Sequence, residues 1–253
     1  IVFSYNQKEK ISLKSFVSFD DVLNNSSLDE NFERFEFNHP IYILYSSGTT
    51  GKPKCIAHGA GNVLIEQNKE FMLHCDIKEK EKLFYFTTTG WMMWNWLVGG
   101  LATGSSIFLY DGSPTYPKID ILLKYCQDKK INFFGVSAKY IDHLKNENFN
   151  SKHLDLSSIK IITSTGSPLA EESFKYVYKN IKQDVHLASI AGGTDMVGCL
   201  VLGNLYSNVY MGEIQGQSLA IDVDIFSEDG KSTKIGEKGE LVVKQPFPSM
   251  PVK

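Results

Sequence analysis

Apolar and polar positions along this chain follow two rhythms, and the point where one gives way to the other marks its organisation. Between residues 83 and 190, short apolar runs alternate with longer stretches of helical spacing. Residues 83–87, 106–110, 131–136, 159–163 and 185–190 predict strands; residues 91–103, 119–129, 138–146 and 170–181 predict helices. Helices between strands require crossover connections, so the pattern predicts an α/β body with a parallel sheet. Upstream, the run at 41–45 predicts a buried strand and residues 55–57 another. Asn62 is a candidate cap for a helix whose apolar positions are Leu64, Phe71, Met72 and Cys75. Residues 21–39 are polar with sparse apolar anchors, as in a surface connection with a short helix. After about residue 200 the rhythm changes. Residues 220–226 and 239–244 flank Glu228-Asp229-Gly230 and predict antiparallel strands. The expected organisation is a connection or the end of an upstream subdomain at 1–40, an α/β core at 41–200 and a smaller antiparallel β-rich portion at 201–253.

Composition narrows the function classes. The 253 residues are 42% hydrophobic and 22% charged, with a net charge of −3, as in an ordinary globular protein. Arg34 is the sole arginine, and lysines are interspersed with acidic residues. Nucleic acid and anionic membrane are therefore poor partners. Cys55, Cys75, Cys126 and Cys199 form no CxxC pair, which excludes the common zinc and redox motifs and predicts buried free thiols. No signal segment opens the chain and no apolar run is long enough to span a bilayer, so the cytoplasm is the expected compartment. The chain lacks an initial Met and both ends fall in apolar runs, so it is expected to be an internal piece of a longer polypeptide.

The densest chemistry follows the 41–45 run. Ser46, Ser47, Thr49 and Thr50 supply hydroxyls, Gly48 and Gly51 allow backbone amides to converge, and Lys52 and Lys54 add positive charge. Such a loop suits a polyphosphate. It is not a P-loop: the motif needs Gly where Ser46 stands, and Ser or Thr where Pro53 follows Lys52. By itself the stretch reads equally as a polar surface turn. No histidine has ligand-like spacing; His58, just after the loop, is placed to approach a phosphate.

Ser-Ser-Gly-Thr-Thr-Gly-Lys-Pro-Lys resembles the phosphate-binding signature of the adenylate-forming enzymes. Three further motifs agree in order. Gly166-Ser167-Pro168 resembles the family's adenine loop, and Gly193-Thr194-Asp195 its Gly-x-Thr-Glu motif with Asp for Glu. Gly239-Glu240-Leu241 resembles its Gly-Glu-Leu turn. Residues 87–95, 110–114 and 247–252 look most like the members of this family that activate acetoacetate. The resemblance implies ATP, Mg²⁺ and coenzyme A as cofactor and cosubstrates. It places Ser46, Ser47, Gly48, Thr49, Thr50, Gly51, Lys52 and Lys54 on the β- and γ-phosphates, and Gly166, Ser167, Pro168 and Gly193 around the adenine. Thr194 and Asp195 would be catalytic, Asp195 as the metal ligand; local sequence alone also permits Asp195 as a helix N-cap. The acyl pocket would be formed by Trp91, Met93, Trp94, Asn95, Ala191 and Gly192. Acetate-activating relatives have Trp where Gly192 stands, so its absence opens room for a longer acid. The competing reading for residues 91–96 is an apolar core helix. The family's ribose-binding Asp, hinge and mobile domain with its catalytic Lys fall in no part of these 253 residues, so this piece alone is expected to be inactive. A ligase for another short or branched acid, and a non-catalytic adenylate-binding derivative, remain open.

Overall fold

The structure is a computed structural model that describes residues 17–25, 32–46 and 51–253. It divides into two units at residue 35. Among its described residues the first contains one short helix, α1 (Phe19–Asn25), which overlaps the expected surface connection.

The second unit begins with a hairpin. β1 (Pro40–Ser46) pairs antiparallel with β2 (Lys54–Gly59). The strand is where the apolar run predicts it, but its burial is not: Ile41, Ile43 and Tyr45 are exposed. A two-stranded hairpin has no second layer on its outer side, so alternate positions of the run face outward. Next come α2 (Ala60–Lys69) and a π-helical turn at Glu70–His74. Asn62 does not cap α2; Gly59 occupies that position, and Asn62 Nδ2 donates to the Pro248 carbonyl. Leu64 and Met72 are exposed, while Val63, Glu66, Gln67, Glu70, Phe71 and His74 are buried. The helix therefore turns a largely polar face inward.

The body is built from β3 (Lys82–Tyr85), α3 (Met92–Gly99), β4 (Ser106–Phe108), α4 (Ile121–Lys129), β5 (Phe133–Ser137), α5 (Ala138–Asn146), β6 (Ile161–Thr165), α6 (Glu171–Tyr176) and β7 (His186–Ser189). The five strands form one parallel sheet in the order β4-β3-β5-β6-β7, as the alternating pattern predicts. Period-two geometry explains how the sheet is covered on both faces. Phe84, Phe134, Ile162 and Leu187 pack with Leu122, Ile141 and Phe174. Their chain neighbours Leu83, Phe133, Ile161 and Ala188 pack on the other face with Phe71, Trp96 and Leu97. α5 shows why such segments become helices. Ser137 Oγ accepts from Tyr140 N at 3.2 Å at its start, and Tyr140, Ile141 and Leu144 form one buried stripe.

Antiparallel structure begins earlier than the predicted residue 201. β8 (Ala191–Gly193) pairs with β9 (Gly198–Leu202), and β9 with β10 (Gly216–Gln217). β11 (Val223–Phe226) and β12 (Glu240–Val243) form the expected later hairpin. The segment after β12 returns to β2: Val252 N donates to the Ala57 carbonyl and Ala57 N to the Lys253 carbonyl, both at 2.8 Å. Cys75, Cys126 and Cys199 are buried free thiols, but Cys55 is exposed, because it sits at the uncovered first end of β2, whose later residues are buried.

Candidate active site

Open α/β sheets bind ligands beyond the carboxyl ends of their strands, where loops diverge. A cleft of about 690 Å³ lies there. Gly90, Trp91, Met92 and Met93 enter it from the segment after β3, residues 165–168 from the end of β6, and residues 189–194 from the end of β7. Tyr45, next to last in β1, lines the same cleft, so the Ser/Thr/Gly-rich loop departs from its edge. Ser47, Gly48, Thr49 and Thr50 lie outside the described residues. Ser46 is half-buried, and Gly51, Lys52 and Lys54 are exposed beyond the loop.

The adenine-loop candidates and Gly193 all line the cleft. Gly166 has φ +88°, a left-handed conformation that admits glycine without penalty. Just before it, Thr165 Oγ1 donates to the Ile190 carbonyl at 2.8 Å, tying the end of β6 to the start of β8.

Thr194 lines the cleft and Asp195 is exposed beside it, in the turn joining β8 to β9. Asp195 caps no helix; a hairpin turn follows it. The turn is held from three directions by the β2–α2 segment. His58 Nε2 lies 2.8 Å from the Thr194 carbonyl. A carbonyl only accepts, so Nε2 carries the proton. His58 is fully buried, and burial pushes its pKa down against the opposing pull of the Thr194 carbonyl bond and the Asp195 charge. Gln67 Nε2 donates to the Val197 carbonyl at 3.4 Å, and Glu70 Oε1 accepts from Cys199 N at 2.5 Å. Between these anchors Val197 has φ +51°, an uncommon conformation for a β-branched residue that costs on the order of 1–3 kcal/mol. His58 is thus bound to backbone rather than aimed at a phosphate.

Of the six acyl-pocket candidates, Trp91, Met93, Ala191 and Gly192 line the cleft. Trp94 and Asn95 are not among its lining residues. α3 starts at Met92, and at about 100° per residue Met93 and Trp96 share the inward face while Trp94 and Asn95 rotate away. Gly192 has a structural reason of its own: a Cβ there would lie 1.9 Å from the Gly198 carbonyl oxygen of β9. Sequence reasoning missed Tyr45, Met92, Thr165 and Cys199 as lining residues, and missed the buried acidic pair Glu66 and Glu70. Glu66, Gln67 and Glu70 do follow helical spacing, the signal of a buried stripe, but their polarity points to solvent.

Among the described residues no three His, Cys, Asp or Glu side chains converge on a common metal position. The lone exposed carboxylate of Asp195 is a hard oxygen donor, which suits a magnesium ion that keeps its waters and substrate phosphate oxygens. No described helix is long and apolar enough to cross a membrane.

This fold and cleft define an adenylate-forming enzyme body, and residues 5–250 match the family model described as AMP-binding enzyme. The chain belongs to the AMP-binding enzyme family. It is 54% identical over 222 residues to the acetoacetyl-coenzyme A synthetase of Rhizobium meliloti (strain 1021), covering 87% of this chain and 34% of that protein. It is 46% identical over 221 residues to the acetoacetyl-CoA synthetase of Gallus gallus, covering 87% and 33%. The solved structure of acetoacetyl-CoA synthetase from Streptomyces lividans superposes with a TM-score of 0.90 at 36% identity, covering 96% of this chain and 38% of that one. The chain therefore spans about a third of the length of the curated relatives it matches.

Proposed function

We propose that this chain is the nucleotide- and acid-binding part of an ATP-dependent acid–CoA ligase that activates acetoacetate in the cytoplasm. The observation that carries the proposal is the meeting of residues 166–168, the Gly193-Thr194 turn and the base of the phosphate loop at Tyr45 in one cleft. The acetoacetyl-CoA synthetases at 46–54% identity supply the acid. A carboxylate oxygen of acetoacetate attacks the α-phosphorus of ATP, the bond to the β-phosphate breaks, and pyrophosphate leaves. The thiolate of coenzyme A then attacks the acyl carbon, and the bond to AMP breaks. Both steps build negative charge on oxygen, so the site needs donors rather than a protein nucleophile.

In this reading Ser46, Ser47, Gly48, Thr49, Thr50, Gly51, Lys52 and Lys54 bind the β- and γ-phosphates. Thr194 donates to the α-phosphate, and its carbonyl anchor on His58 keeps the hydroxyl in place. Gly166, Ser167, Pro168 and Gly193 border the adenine. Trp91, Met93, Ala191 and Gly192 form the acyl end. Asp195 would hold Mg²⁺, which when bound supplies positive charge against the phosphate oxygens.

The test is pyrophosphate release by the full-length protein with acetate, propionate, butyrate, 3-hydroxybutyrate and acetoacetate. Acetoacetate is expected to give the highest kcat/KM. Preference for another acid would reassign the substrate; no release with any acid would favour a non-catalytic nucleotide-binding role.

A further inference from the structure

We propose that Glu70 is a positioning residue for the acyl end of the cleft, bracing two of its walls from behind; this rests on the functional reading above. Glu70 is fully buried and opens the π-helical turn that follows α2. Its Oε2 accepts from Trp96 Nε1 at 2.6 Å, and its Oε1 from the backbone N of Cys199 at 2.5 Å. Trp96 stands one turn after Met93 on α3, so the two share a face, and Met93 lines the cleft. Cys199 lines it from β9, the strand that fixes β8 with Gly192 and Gly193. One carboxylate therefore joins the helix and the strand whose side chains border the acid.

The surroundings argue that this brace serves more than packing. Glu66, also fully buried, lies beside it: a Cβ at Gly198 would sit 2.9 Å from Oε1 of each glutamate. Lys69 Nζ bonds Glu66 Oε1 and Ser218 Oγ, both at 2.7 Å. Glu66 Oε2 has no hydrogen-bond partner among the described residues. Two buried carboxyl groups beside one ammonium are an expensive way to fill volume; apolar residues commonly do it as well or better. What the carboxylate of Glu70 supplies, and an apolar side chain cannot, is two directional acceptors fixing two separate elements. π-helical turns such as the one carrying it are frequent at functional sites.

The experiment compares full-length wild type, E70Q, W96F and E70Q/W96F. Glutamine has one acceptor oxygen, so its NH₂ must face either the Trp96 or the Cys199 donor. E70Q is expected to raise KM for acetoacetate at least about tenfold while KM for ATP stays within about twofold. It should also shift tryptophan emission and speed amide exchange in residues 194–202. In E70Q/W96F the glutamine oxygen is free to accept from Cys199, so KM for acetoacetate should recover partly. If E70Q does not accumulate as soluble protein, W96F alone should raise KM for acetoacetate several-fold through the loss of one arm. A wild type inactive with acetoacetate would refute the functional reading, and the brace would then stand or fall on the exchange rates and emission. Unchanged exchange and emission in E70Q, or equal losses in KM for acid and ATP with no rescue by W96F, would overturn the proposal.

Discussion

His58 and Thr194 are far apart in sequence, yet the imidazole Nε2 sits 2.8 Å from the threonine carbonyl. His58 is the penultimate residue of β2, the strand that follows the Ser/Thr/Gly-rich loop; Thr194, which lines the cleft, opens the turn between β8 and β9. The bond joins the two elements to which the proposed function assigns the phosphates, through one buried side chain. Its removal leaves a partly buried carbonyl unpaired, which costs up to about 1–3 kcal/mol. H58A is expected to lower kcat/KM for ATP by about tenfold or more, with H58Q, which keeps a donor, losing less. Steady-state pyrophosphate release on the full-length protein measures both.

Asp195 replaces the glutamate that the family motif carries, so the charge should matter more than the chain length. D195N is expected to raise the Mg²⁺ concentration for half-maximal rate by about tenfold, and D195E to stay near wild type. A magnesium titration of initial rate distinguishes them; equal loss in both variants would remove the metal role.

Gly192 and Ala191 are adjacent but are expected to respond differently. A Cβ at Gly192 meets the β9 backbone, which cannot swing aside as a side chain would. G192A should therefore lower the melting temperature and reduce turnover with every acid alike. Ala191 already carries a Cβ and lines the cleft. A191V should preserve the fold and penalise acetoacetate more than acetate. The ratio of kcat/KM values for the two acids is the readout.

Glu70 carries a pH signature. Burial, reinforced by the Glu66 charge, raises it from the ordinary value near 4.5 to about 8, against Cys199 N, Lys69 and Trp96, which favour the ionised form. Cys75 and Cys199 also face it, their thiols held neutral by burial. The folded state therefore binds a proton that the unfolded state releases between about pH 4.5 and 8. Stability from this group is fully present below the lower value and is lost as pH rises through the higher, with a limiting slope of about 1.4 kcal/mol per pH unit. His58 and His74, both lowered by burial, act in the opposite sense below about pH 6.5. The window from pH 6.5 to 8 isolates Glu70. Denaturant melts of the full-length protein should show stability falling with pH there in wild type, and a flatter profile in E70Q.

Much of the fold was legible from period alone. Residues 131–136 and 159–163 carry large apolar side chains that serve the two faces of a parallel sheet, and 138–146 carries a helical stripe; both follow from local geometry. The motifs at 46–54, 166–168 and 193–195 pointed to nucleotide chemistry only through their joint resemblance to the adenylate-forming family, to which the chain belongs; taken singly, each reads equally as a polar turn. Burial was less legible where a segment lacks a second layer or carries a polar inward face. The apolar run of β1 is half exposed, and α2 buries Glu66, Gln67 and Glu70 while Leu64 and Met72 face out. Only the tertiary structure decided which side chains of 91–96 reach the cleft, since helical phase depends on the residue where α3 starts. It alone brought His58 to Thr194 and Glu70 to Cys199. Those pairings join residues more than a hundred positions apart, and a chain's local preferences carry no information about distance in space until the sheet has assembled around them.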